Sequence, residues 1–474
     1  MLAMLLLACD TPPAAGDPDG DGVPKDLDCA EGDPDVYPGA PEYCRDGVVN
    51  DCETSDADAR AFCALWRDIT AEEASAVLTT DERGASMGAA VAGGADVTGD
   101  GRPDLLFGAP GSGSGGGVWI VDGDVRGRER LDVAPAALVG TSDGPTAGAG
   151  IQLPGDVDGD GAADVLVLSV GRSDASIHLA HGPFDGQTSL EGGPRYDVDT
   201  VVSRLAIGDI DGDGAVDLAF GAPGDDAVYA RTDLGETDDI GDADRWLHGT
   251  AAELGTDVAV ADLDGDGVGD LLAGAPGYDG GRGAAYIRFG PFDGAGEPDL
   301  TLTGSDNRST AGTALAAGGD VDGDGRADAL IGAPLADGRG IAWLVTAPRD
   351  GALDAVAEAG LEAVKAADYA GEGVAMLGDV DGDGVADVGV GAPDVGSASG
   401  GAYVVYGPVR GSFNLSDADI RITTAYDGDE LGRVMAGVGD LDGDGRGDFL
   451  LGAPLHGDPV EGGGVGWLFL AAPI

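Results

Sequence analysis

Positive charge is scarce in this chain. Lysine occurs only at Lys25 and Lys365, and Lys plus Arg total 25 against 87 Asp plus Glu, for a net charge of -62. A surface this negative repels phosphate backbones and anionic headgroups, which argues against nucleic acid or anionic lipid as a partner. No stretch of about 20 apolar residues follows the first few positions, so no membrane-crossing helix is expected. Cysteine is absent after Cys63. Histidine is limited to His178, His181, His248 and His456; the first two are three apart on an expected strand and would face opposite ways. No phosphate-binding loop ending in Gly-Lys occurs. These absences leave no visible catalytic set, and the chain is not expected to be an enzyme. Disorder is also disfavoured, because apolar residues make up 43% and alternate with turn residues.

The N-terminus reads MLAMLLLAC. An apolar run ending Leu6-Leu7-Ala8-Cys9 resembles a bacterial lipobox. The resemblance implies cleavage after residue 8 and acylation of Cys9, with 9–16 as a linker. Several acyl chains anchor a protein stably where one is marginal. No Lys or Arg precedes the run, and the run is short, so an ordinary cleaved signal peptide is the alternative. Localisation is expected at the outer membrane or cell surface of a bacterium, alternatively secreted or periplasmic.

Residues 17–63 hold Cys29, Cys44, Cys52 and Cys63. An even set crowded into an exported acidic segment reads as two disulfides, with three possible pairings. A bridge closing a loop such as 29–44 contributes about 3 kcal/mol. Zinc is the weaker alternative, since the segment has no His and no Cys-x-x-Cys. Asp17, Asp19 and Asp21 precede Gly22 in a spacing suited to calcium. The segment resembles the metal-binding, thrombospondin type 3-like segments of exported bacterial proteins, departing from them after Cys52. The competing reading is a disordered acidic spacer. Residues 64–73 read as a linker.

A length of 474 residues would ordinarily mean several domains, but an internal repeat accounts for it. Seven nine-residue acidic loops begin at residues 96, 156, 209, 262, 320, 379 and 440. Six continue into an apolar run ending Gly-Ala-Pro; the second continues VLVLSVG instead. A Gly-rich turn and another apolar run follow, and a fourth run precedes the next unit. Four short strands repeated seven times predict a seven-bladed β-propeller, an all-β fold, over residues 74–474. The last unit stops after its third strand, and the unassigned run at 74–80 resembles a fourth strand. It is expected to complete the last blade and close the ring.

The loops have the spacing of an oxygen-ligand cation site. Carboxylates stand at positions 1, 3, 5 and 9, with Gly at 6 for the turn. They are Asp96, Thr98, Asp100 and Asp104; Asp156, Asp158, Asp160 and Asp164; Asp209, Asp211, Asp213 and Asp217; Asp262, Asp264, Asp266 and Asp270; Asp320, Asp322, Asp324 and Asp328; Asp379, Asp381, Asp383 and Asp387; and Asp440, Asp442, Asp444 and Asp448. Hard oxygen ligands in a flexible loop select calcium over zinc or copper, and their number favours it over magnesium. Position 12 of an EF-hand would be Glu; here the third loop has Phe220. About seven calcium ions are expected, with Thr98 making the first site the weakest. Turn chemistry alone would also place Asp and Gly here, but not in register seven times.

The units are similar to FG-GAP repeats, which form the β-propeller of integrin α subunits and occur in many bacterial surface proteins. The resemblance covers about residues 75–474. It implies calcium on one face of the ring and recognition of a protein or glycan ligand on the other. A lipid-anchored surface adhesion or ligand-binding scaffold follows as the expected function. The alternatives are a calcium-dependent exported hydrolase or lyase working from a propeller pocket, and a structural envelope spacer. Convergent ionisable groups in a pocket opposite the acidic loops would favour the enzyme; a broad aromatic and Arg-rich patch would favour adhesion.

Overall fold

A computed structural model describes residues 68–471, apart from 132–133, 143, 233, 235–243, 250–251, 293, 364, 366–367, 394–399, 425, 427 and 458–459. Cys9, Asp17, Asp19, Asp21 and the cysteines Cys29, Cys44, Cys52 and Cys63 lie outside the described residues.

Apolar runs bounded by acidic turns become strands buried on both sides. The run after each acidic loop starts on the loop's ninth residue: Asp104–Ala109, Asp164–Val170, Asp217–Ala222, Asp270–Ala275, Asp328–Ala333, Asp387–Ala392 and Asp448–Ala453. In six of them every residue is buried. That is why they read as continuous apolar stretches rather than alternating ones. Each is the second of four antiparallel strands in its sheet, and there are seven sheets. The blades are numbered here by their acidic loops. Inner strands such as Ala90–Ala95, Ala314–Gly319 and Val434–Gly439 are built from small residues, and they crowd around the ring axis. Among the described residues helix is limited to single turns such as Leu353–Val356.

The ring closes as expected. Ala76–Thr79 pairs antiparallel with Val465–Phe469, supplying blade seven's fourth strand from the beginning of the chain. Leu78 is fully buried there.

A fifth strand, unforeseen in the sequence, appears in five of the seven sheets. The segment between the third and fourth strands of one blade crosses to the previous blade and pairs parallel with its fourth strand. Gly186–Ser189 joins Ala136–Val139, Gly351–Ala352 joins Leu300–Thr303, and Phe413–Asn414 joins Ala359–Glu362. Gly127–Arg130 joins the closing strand Ala76–Thr79. By the same rule Asp68–Thr70, which precedes the closing strand, joins Ile420–Thr423 of blade six. The reading of 64–73 as a linker is corrected accordingly: residues 68–70 belong to the ring. These segments are two to four residues long and partly exposed, so they carry no apolar periodicity to read.

The core lies between blades rather than within them. Leu330 and Leu344 of blade five pack with Val388, Val390 and Tyr403 of blade six. Leu106 and Ile120 of blade one pack with Val165 and Val167 of blade two. This explains the Gly of Gly-Ala-Pro. A Cβ on Gly108, Gly221, Gly274, Gly332, Gly391 or Gly452 would collide with the backbone carbonyl of a glycine leading into the next inner strand, as Gly332 would with that of Gly371. Blade two, which lacks the motif, has Leu168 facing a bulged inner strand instead.

Candidate cation-binding loops and the opposite face

All seven acidic loops join an inner strand to a second strand, so they lie on one face of the ring. Their backbone is held by the aspartates themselves. Asp209 at position 1 accepts the N–H of Gly212 at 2.7 Å and of Gly214 at 2.9 Å. Asp96, Asp156, Asp262, Asp320, Asp379 and Asp440 accept the equivalent pairs. The position 5 carboxylate accepts the N–H of residue 7 in every loop, as Asp213 does from Ala215. These bonds fold the carboxylates inward: Asp209, Asp211 and Asp217 bring one oxygen each within 4.8 Å of the others, as do Asp262, Asp264 and Asp270, and Asp320, Asp322 and Asp328.

Position 9 differs from the rest. Asp104, Asp164, Asp217, Asp270, Asp328, Asp387 and Asp448 are at most 1% exposed. One oxygen of each accepts the N–H of residue 2 of its own loop, as Asp217 does from Ile210 at 2.9 Å. In four blades the other oxygen accepts an N–H just beyond the third strand, from Gly182, Gly290, Gly407 or Ala471. In those four blades Asp164, Asp270, Asp387 and Asp448 therefore staple three parts of the blade as well as facing the loop.

The loops suit a cation. The second oxygens of Asp104 and Asp328 and the hydroxyl of Thr98 are buried without a hydrogen-bond partner. Burial, reinforced by the neighbouring carboxylates of the same loop, pushes Asp270 and Asp448 up to about 6 and Asp328 up to about 7. Asp381 is likewise pushed up to about 7, and Asp387 rises well above the ordinary range. A bound dication relieves both the orphaned acceptors and the mutual repulsion.

Neighbouring loops are also joined. The position 1 carbonyl accepts the position 8 N–H of the next loop: Asp96 from Ala163, Asp209 from Gly269, Asp262 from Ala327, Asp320 from Ala386 and Asp379 from Gly447, at 2.5 to 3.1 Å. Between blades seven and one this bond cannot form, because position 8 of the first loop is Pro103, which has no N–H.

Histidine enters one loop, which the sequence reading missed. His178 lies within the third strand Ala175–Ala180 and is buried, but His181 lies past that strand's end. Its Nδ1 is 3.6 Å from Asp158 and 3.4 Å from Asp164. His456 instead pairs with Asp429 at 3.2 Å, both buried.

On the opposite face the central channel opens in a cavity of about 210 Å³ lined by all seven inner strands. Charged residues precede four of those strands. Arg204 is 3.6 Å from Asp257, and Arg433 is 3.7 Å from Glu372 and 2.6 Å from Glu430. Asp257 is almost fully buried, and its two oxygens accept the N–H groups of Val258 and Leu315. Ionisable groups thus converge here, but in neutralising pairs.

Seven blades, each bearing an acidic loop between its first two strands, define a β-propeller of repeated acidic-loop units. The family model described as FG-GAP repeat matches residues 87–121, 254–287 and 311–352, and that described as FG-GAP-like repeat matches 156–220. Integrin alpha pat-2 of Caenorhabditis elegans is 28% identical over 240 residues, covering 44% of this chain and 19% of that protein. Integrin alpha-4 of Xenopus laevis is 33% identical over 150 residues, covering 30% and 14%. Phosphatidylinositol-glycan-specific phospholipase D of Rattus norvegicus is 33% identical over 159 residues, covering 29% and 19%. The chain thus spans between about a seventh and a fifth of the length of these relatives. It is a seven-bladed β-propeller whose matched segments resemble the FG-GAP repeats of integrin alpha subunits. Among the described residues no helix is long and apolar enough to cross a membrane.

Proposed function

We propose that this protein is an exported, lipid-anchored, calcium-binding propeller that serves as a cell-surface adhesion or ligand-binding scaffold. The observation that carries this reading is the repeated loop geometry: carboxylates gathered within 4.8 Å on one face, with orphaned acceptors among them. Oxygen-only ligands of this number suit calcium. The ion would be held by positions 1, 3, 5 and 9, stiffening each blade where its first two strands meet. The opposite face, with the channel mouth at its centre, is left for a protein or glycan ligand. In this reading Cys9 supplies the lipid anchor, and residues 17–63 are a calcium-binding module with two disulfides. The test is binding of the full chain to protein and glycan arrays in calcium and in chelator. Calcium-dependent capture of a ligand, lost when Arg433→Ala and Arg204→Ala are combined, supports the scaffold. Capture that ignores calcium overturns it.

A second reading is a calcium-dependent hydrolase or lyase. It is favoured by the ionisable groups at the channel mouth and by the phospholipase D among the similar proteins. Turnover of a phosphoester or polysaccharide by the full chain, lost on Asp257→Asn, would establish it.

A further inference from the structure

We propose that the loop of blade two is a mixed nitrogen–oxygen site that takes a transition-metal dication, such as zinc or cobalt, in preference to calcium. The inference rests on the reading of the loops as cation sites and separates one of them from the rest.

Three donors converge at this loop: Asp158, Asp164 and His181, with one ligand atom of each within 4.8 Å of the others. The imidazole Nδ1 is buried and makes no hydrogen bond. Its separations from the two carboxylates, 3.4 and 3.6 Å, exceed an N–H···O hydrogen bond. They match the spacing of ligands sharing one ion, since two donors at about 2.1 Å from a tetrahedral metal lie roughly 3.4 Å apart. Asp164 is fixed by the N–H groups of Val157 and Gly182, so two of the donors sit on a preformed frame. The chain places His181 there because Gly182, the next residue, is itself bonded to Asp164.

Donor chemistry then decides the ion. Calcium takes oxygen ligands and gains little from a neutral imidazole. Zinc, cobalt and nickel bind imidazole well. At the corresponding position next to the Gly or Ala that bonds the ninth aspartate, blade four has Phe289, blade six has Tyr406 and blade seven has Leu470. None of these supplies a nitrogen ligand. Asp158 also gathers with Asp156 and Asp160, so the loop accommodates one ion that exchanges acidic partners for the imidazole.

The test is titration of the full chain, stripped of metal and kept oxidised, with Co²⁺ in excess calcium. Calorimetry gives stoichiometry, and the visible d–d bands give the ligand set. The expected result is a Co²⁺ site that calcium does not displace, weakened at least about tenfold in His181→Ala and in Asp158→Asn. His248→Ala should leave that site unchanged. His181→Asp should turn it into one that calcium displaces. Equal Co²⁺ binding in the wild-type chain and His181→Ala, or none in excess calcium, overturns the inference and leaves His181 as an ion-pair partner of the two aspartates. If calcium alone binds no loop, the cation-loop reading falls; if calcium binds and the Co²⁺ site is missing, only the present inference falls.

Discussion

The carbonyl of Asp209 accepts the backbone N–H of Gly269 at 2.7 Å, across the boundary between blades three and four. Asp209 opens one acidic loop, and Gly269 stands beside the last aspartate of the next. An ion that orders one loop therefore fixes an acceptor used by its neighbour. Cation uptake should be cooperative between adjacent blades. At calcium tenfold above the dissociation constant each site adds about 1.4 kcal/mol, and seven add about 10 kcal/mol. Chelation is expected to lower the melting temperature of the full chain by many degrees in scanning calorimetry. An unchanged melt would refute calcium as the stabilising ligand.

Acidity offers a second test with a definite sign. Asp270 and Asp448 are pushed up to about 6, and Asp328 and Asp381 to about 7. An acid with a higher pKa folded than unfolded holds its proton better in the folded state. Its contribution is complete below the ordinary carboxylate range and is lost as pH rises through the folded value. The metal-free protein should therefore melt higher at about pH 5 than at about pH 8. Saturating calcium replaces those protons, so the order should reverse. Melting curves at both pH values, with and without calcium, decide the matter; the same order in both would count against the loops as cation sites.

Positions within one loop should separate by role. Asp448→Ala removes the acceptor for Leu441 and Ala471 N–H groups, each 2.8 Å away, in a buried place. An unsatisfied buried group costs about 1–3 kcal/mol, so this variant should lose stability even in chelator. Asp442→Ala acts on an exposed carboxylate and should lose calcium affinity with little change in the chelated protein. Urea unfolding in chelator compares the two; equal losses would contradict the stapling role of position 9.

Packing between blades predicts a penalty at Gly-Ala-Pro. Gly332→Ala sets a methyl against the carbonyl of Gly371, a backbone atom that cannot rotate away. Overpacking of this kind costs about 1–3 kcal/mol. A shift in the urea midpoint by that amount is expected, and a neutral result would mean the blades have room to part.

Closure of the ring predicts that Leu78, fully buried in the seam strand, matters as much as any core residue. Leu78→Ala should cost about 2–5 kcal/mol in equilibrium unfolding. A loss below about 1 kcal/mol would show that the seam is not part of the cooperative unit.

Much of this protein was legible in its residues. Seven acidic loops in register, followed by apolar runs and Gly-Ala-Pro, determined the number of blades, the apolar strand that follows each loop, and a closing strand within 74–80. Such features are local and repeated, so spacing alone reports them. The tertiary structure decided what depends on residues far apart in the chain. Two-residue strands such as Phe413–Asn414 have no pattern of their own and exist only because the previous blade offers an open edge. His181 became a neighbour of Asp158 only when the third strand returned beside the loop. Arg433 and Glu372 met because inner strands of adjacent blades converge on one axis. The aspartates at positions 1, 3, 5 and 9 divided into solvent-facing donors and a buried staple because burial is a property of the folded ring, not of the loop's own sequence.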